Sequence, residues 1–598
     1  MKTKRLLTTC SFLVFICILC FAEKPFAIRG VLPWHNFLSG PSTWDKTDYR
    51  QYLDQCQAAG INFIGFHNYT GGGERYAPYV EPMIKISYKG IIPEAYFDHS
   101  MSARWGYLPM KVSNFAYGTN QHFPLPPNAV REAFGSKGAI TSVFTKDHYQ
   151  SAQSLMKNVL TMAHERGIKM AMGFEFGVIP PEYFSLNDGM ESFFWPGQMN
   201  MIPNPTHQTS IEIHQAAIDN ILDTYPDIDY IWLWLNEHSF MQVSMDAVTK
   251  SRLFGKLFEE KKIFFPESEK EEEKFVGVWA YEYIRLTHDY LKKRNSKAKL
   301  IIGGWGGGNQ LPELMRGLDK ILPKEIVFSC LNPGLGQERQ PAFLSEIAKH
   351  RETWAIPWLE GDHQLWHFQP RVNSMKEQVK YAYEQQLQGV VAIHWRTEEV
   401  RFNFNTFAQT ARNPEDKRTV EQLYTEYLSE EIGENAAKEV SPLLTKMDKE
   451  NIQKGVLSME YFMLNPRWGL MTADNLTLHK EIVAACEKHV STLTGTKKKQ
   501  LQRLSDMFLF EILLHDAQTA MQQAYEIRQS EVETGKSHTQ EEYKRGLAAL
   551  ESAPVEKMFV VFARKVNSKG ELGVLSSLNQ KFYSEYMRLK RYLEDRIQ

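Results

Sequence analysis

The chain has 598 residues, 43% of them hydrophobic and 23% charged, a composition of folded domains but a length beyond one ordinary core. A formal charge of -2 argues against nucleic acid or an anionic membrane surface as the main partner. Three of the six cysteines fall in the first 20 residues; the other three, Cys56, Cys330 and Cys486, are too far apart for a zinc motif or disulfide framework and read as buried thiols.

Lys2, Lys4 and Arg5 precede an apolar run from Leu6 to Leu19, and small Ala22 stands before a polar stretch. That is the layout of a cleaved signal peptide over residues 1–22, which implies a secreted or periplasmic protein. The run is short for a bilayer span of roughly 20 apolar residues. Bulky Leu19 before Cys20 disfavours lipid anchoring at that cysteine.

Short β-rich runs then alternate with helical patterns. Phe26–Trp34 predicts the first strand, Thr47–Ala59 a helix stopped by Gly60, and Ile61–Tyr69 the second strand. A long irregular segment, about 74–145, predicts a loop insertion of the kind that carries function. Further strands are expected at 168–176, 228–235, 300–305, 325–331, 353–359 and 389–395, with a charged, solvated excursion at 259–274. Eight strands in helix-separated order predict an α/β fold, a (β/α)8 TIM barrel over 23–410. Strand signals then cease. Amphipathic stretches such as 497–529 and 575–596 predict an all-α C-terminal domain over 411–598.

In such a barrel the strand C-termini form the active face. Read in order, they offer Trp34 and His35; His67, Asn68 and Tyr69; Glu175; Asn236, Glu237 and His238; Trp305; Asn332; Glu360, Asp362 and His363; and His394, Trp395 and Arg396. Glu237 and Glu360 each end an apolar strand, where a carboxylate is costly unless it is paired or sits in a solvated cleft. Two carboxyls facing each other across a mouth fit glycoside hydrolysis: one protonates the leaving oxygen, the other attacks the anomeric carbon or activates water. Trp34, Tyr69, Trp195, Trp305, Trp366 and Trp395 are candidates to stack on sugar faces, with a turn at Gly304 bringing Trp305 to the cleft. Glu175 is the rival carboxylate, able to orient the acid or bind a sugar hydroxyl.

Asn236-Glu237 after strand four and Glu360 after strand seven resemble the clan of retaining barrel glycosidases. The resemblance covers the barrel order and about three positions. It implies Glu237 as acid/base, Asn236 as a hydrogen-bond donor to substrate, Glu360 as nucleophile and Trp395 as the sugar floor. The helical C-terminal region is also similar to that of α-glucuronidases, which are inverting; there Glu360 or Asp362 would activate water and Arg396 would pair with a uronate. Against that, Arg396 has Glu398 and Glu399 nearby in sequence as salt-bridge partners.

The expected partner is therefore a carbohydrate, without nucleic acid, membrane span or cofactor; the oligomeric state is open. Two other classes are consistent with the same residues. A metal-dependent barrel hydrolase would use His35, His67, His238, His363 and His394, although no tight His-x-His pair marks the first strand. A non-catalytic carbohydrate-binding barrel would keep the aromatics without the carboxylate chemistry.

Overall fold

The structure is a computed structural model that describes residues 26–35, 37, 39–71, 80–95, 111–122, 134–136, 145–186, 193, 202–236, 243–306, 310–362, 365–449 and 471–597. The expected signal segment, Trp195, Glu237, His238 and His363 lie outside these described residues.

Eight parallel strands close into a barrel in chain order. They are β1 (Ile28–Pro33), β2 (Phe63–Asn68), β3 (Lys169–Glu175), β4 (Tyr230–Trp234), β5 (Lys299–Trp305), β6 (Val327–Leu331), β7 (Thr353–Ile356) and β8 (Gly389–His394). Closure is made by β8 on β1, in register from Ile28–Gly389 to Pro33–His394. With helices outside and side chains inside, each strand is buried on both faces, which is why these runs are apolar throughout rather than alternating.

The interior is filled by rings. Phe63, Tyr230, Trp232 and Trp354 pack edge to face within it. Glycines make room for them. A Cβ on Gly65 would lie 2.4 Å from the Trp232 ring, and one on Gly389 would lie 2.5 Å from that of Trp354. Trp232 satisfies its indole by donating to Ser329 Oγ at 3.1 Å. The opposite parity, including Val31, Ile64, Phe66, Met172, Leu233 and Ile302, packs outward against the helices.

After the helix Arg401–Arg412 the described chain is helical to residue 597. Its spine is the 40-residue helix Gly495–Thr534. Leu504, Phe508 and Ile512 face a cluster that includes Phe368, Val372 and Phe402 from the barrel's last loops. Phe510, Leu514 and Ala517 face a second cluster, continuous with Trp34, Trp366 and Trp395. The helical region is thus packed onto the strand-end side of the barrel. No described helix is long and apolar enough to cross a membrane.

The segment 259–274 is largely solvated, as expected, and it is helical rather than irregular. It joins the helices Phe254–Lys261 and Glu271–Lys293 through a short 3-10 turn, because Phe265 inserts against Gly277 and Gly317. Cys56, Cys330 and Cys486 are buried free thiols. Burial pushes those of Cys56 and Cys486 up to about 12.

Candidate active site at the barrel mouth

A strand residue points either into a barrel or out of it, so parity sorts the candidates. Among the described residues, parity sets Trp34, His67, Tyr69, Glu175, Trp234 with Asn236, Trp358 and Trp395 inward at the mouth, with Glu360 beside them at the end of β8. Trp34 stacks on His67 with centroids 4.2 Å apart and meets Trp234 edge-on at 5.5 Å. Trp395 bridges Trp34 at 6.2 Å and Trp358 at 5.6 Å. Among the described residues, the indole N–H groups of Trp234, Trp358 and Trp395 find no protein acceptor.

Glu175 closes β3 with both oxygens engaged. Asn236 Nδ2 donates to Oε2 at 2.9 Å, and His67 Nε2 lies 3.4 Å from Oε1. His67 also faces Glu81, which arrives from the insertion after β2 and accepts the Tyr69 backbone N–H. Burial pushes the Glu81 carboxyl well above the ordinary range, with the His67 charge pulling it partly back. The mouth therefore holds an imidazole set between two carboxyl groups.

Glu360 is fully buried, and Arg396 is 2% exposed. Oε1 accepts the backbone N–H groups of Trp395 at 2.8 Å and Arg396 at 2.5 Å, and Oε2 accepts Arg396 Nε at 2.6 Å. Arg396 spends Nη1 on the Leu365 carbonyl, 2.9 Å away. Its ion partner is thus Glu360. Glu398 pairs with Arg503 at 3.1 Å, and Glu399 faces Lys565 at 3.6 Å. Two residues beyond Glu360, Asp362 is partly exposed. Both carboxylates act on buried Arg371, whose pKa burial brings down to about 10 against their pull.

Four expected ligand-facing residues point the other way. His35 stacks on Phe66 at 5.1 Å and bonds Tyr49 Oη at 2.7 Å. Asn68 donates to Gly173 O and Met172 Sδ. His394 lies between the Arg396 carbonyl on Nδ1, at 2.9 Å, and Tyr52 Oη on Nε2, at 2.6 Å. A carbonyl only accepts, so Nδ1 carries the proton and Nε2 receives the Tyr52 hydroxyl. Burial lowers the His394 pKa, in keeping with that neutral ring. Trp305 belongs to the outer cluster rather than the cleft, because the β5–β6 register shifts between Ile302 and Trp305 and reverses its facing. Trp366 also packs rather than stacks on a ligand, donating its indole N–H to Ser577 Oγ at 3.1 Å.

Among the described residues, no group of three or more His, Cys, Asp or Glu side chains could hold a metal ion. The strand-end reading missed Trp234 and Trp358. Each lies two residues before a named candidate, and the two-residue period was the signal that would have found them. Glu81, within an aperiodic insertion, had no such signal.

No known family profile matches the chain, and no curated protein matches it by sequence. Its similarities to solved structures are partial. A GH138 enzyme targeting pectin rhamnogalacturonan II is similar at TM-score 0.46 and 10% identity, over 96% of this chain and 67% of that one. A family GH115 4-O-methyl-alpha-glucuronidase with specificity for decorated arabinogalactans is similar at 0.47 and 10%, over 92% and 62%. An O-GlcNAc hydrolase from Thermobaculum terrenum is similar at 0.41 and 11%, over 95% of both chains.

Proposed function

We propose that this chain is a secreted glycoside hydrolase that cleaves a poly- or oligosaccharide with two mouth carboxylates. The observation that carries the reading is the inward row itself, which sets indole rings beside carboxyl groups at the strand ends. Sugars offer C–H faces to such rings, and their hydroxyls suit indole N–H donors that lack protein acceptors.

In this proposal Glu237, next in sequence to inward Asn236, protonates the leaving oxygen. Glu175 fixes Asn236, the residue before the proposed acid in sequence. Of the two carboxylates after β7, Asp362 takes the opposing role, acting on the anomeric carbon directly or through water. Glu360 is spent on Arg396 and two backbone N–H groups, so its part is to hold the end of β8 and the Trp395 floor. Arg396 is occupied by Glu360 and is not assigned to a uronate.

A positioned proton donor contributes about 10²–10⁴-fold to rate, so Glu237→Gln should lose that much on natural glycans. On aryl glycosides with acidic leaving groups, which need no proton, the loss should shrink to about tenfold or less. Asp362→Asn should lose activity on both substrate types. Equal losses by Glu237→Gln on both types would remove it as the acid. Stoichiometric binding of a divalent metal with chelator-sensitive turnover would overturn the carboxylate chemistry.

A further inference from the structure

We infer that Glu511, on the helical region's long spine, is a positioning residue for the carboxylate segment after β7. This rests on the reading of Asp362 above. The segment 360–371 leaves β7 and returns to the helix Val372–Glu384. Its two ends are tied to each other: Gly361 N donates to Gln369 Oε1 at 2.6 Å, and Gln369 Nε2 returns to Gly361 O at 2.8 Å. Gln369 is fixed in turn by its neighbour, since Phe368 N donates to Glu511 Oε1 at 2.6 Å. His367 Nδ1 adds a contact to Glu511 Oε2 at 3.3 Å. A carboxylate from a distant helix thus holds the residue next to the clasp that fixes Gly361, and Asp362 is the following residue.

One ring proton follows from geometry. His479 Nδ1 lies 2.7 Å from the Asn475 carbonyl, which can only accept, so Nδ1 carries a proton. His479 Nε2 lies 2.9 Å from Glu511 Oε2. Burial opposes the Glu511 charge, but hydrogen bonds and charges from His367 and His479 outweigh it and bring its pKa down to about 2. Among the described residues, the other titratable groups near this cluster include His515, on the same helix as Glu511, and through it Lys480 and Asp516. Phe368 seals the pair from the barrel side, packing edge-on to Phe508 at 5.3 Å.

The test compares wild type, Glu511→Gln and a core control, Ile482→Ala, chosen from the same helical packing without a hydrogen bond to the segment. Three readouts are taken: hydrogen exchange over 361–371, ¹⁵N shifts of the His479 ring, and kcat with KM on an active glycan. A displacement of about 1 Å near reacting groups costs roughly 10²-fold. Glu511→Gln should therefore speed exchange at Phe368 and Gly361, shift the His479 ring signals through the lost contact, and lower kcat ten- to a hundredfold with KM changed less than threefold. The control should lose thermal stability while keeping kcat within threefold. Unchanged exchange over 361–371 in Glu511→Gln would overturn the clamp, as would an equal fall of kcat in the control. If no glycan is turned over at all, the glycosidase reading fails, while exchange and ring shifts still decide whether the clamp exists.

Discussion

Glu360 and Arg396 form a buried, hydrogen-bonded ion pair, and such pairs are costly to break from one side. Glu360→Gln should leave the guanidinium buried without its counter-charge and destabilise the protein by about 3–5 kcal/mol, read as a fall in the urea midpoint. Glu175→Gln keeps an oxygen for Asn236 and should cost under about 1.5 kcal/mol, yet lower activity at least tenfold. Equal stability losses from the two would contradict the separation of roles. At this scale the residue types at the strand ends were legible from the chain, including the carboxylates and most of the rings. Their partners were not. Arg396 had acidic neighbours in sequence, but the fold brings Glu360 to it from another strand. Nor did residue type reveal that His35, Asn68 and His394 turn outward to Tyr49, Gly173 and Tyr52.

A strand presents its chemistry through parity, and parity survives only while register holds. It holds along β7 and β8, so that Trp358 and Trp395, just past their ends, continue one inward row. It fails on β5, where the shift before Trp305 sends a predicted cleft residue into the outer layer. Nothing in the local sequence announces that irregularity, because Gly303 and Gly304 tolerate several backbone paths. Glycines elsewhere in the barrel serve space rather than conformation. Gly65→Ala would set a methyl 2.4 Å from the Trp232 ring. Overpacking of that kind typically costs about 1–3 kcal/mol, so thermal unfolding should shift downward while the His67 contacts persist. A Gly65→Ala protein as stable as wild type would mean that the interior rings are less tightly filled.

The barrel as a whole followed from counting strand signals, since eight alternations admit few closed parallel architectures. What the count could not convey is how the helical region meets it. Periodicity shows that a helix is amphipathic, not which surface it covers, and the spine Gly495–Thr534 is apolar on two sides because it serves two clusters. Through Glu511 that region also links stability to pH. The Glu511 pKa is depressed to about 2 in the fold, against about 4.5 unfolded, so the unfolded chain binds more protons between those values. Its contribution is complete above about pH 4.5 and is lost as pH falls toward 2. Glu511→Gln should flatten that part of the stability profile, measured by urea unfolding from pH 2 to 6; an unchanged acid slope would contradict the pairing.

The account turns on whether the mouth carboxylates cleave glycosidic bonds. The most direct measurement is release of reducing sugar from a broad panel of poly- and oligosaccharides by wild type, Glu237→Gln and Asp362→Asn, each verified as folded. The account predicts turnover of at least one glycan by wild type and a fall of about 10²-fold or more in both variants. Binding without turnover across the panel, or near-normal rates in either variant, would contradict it.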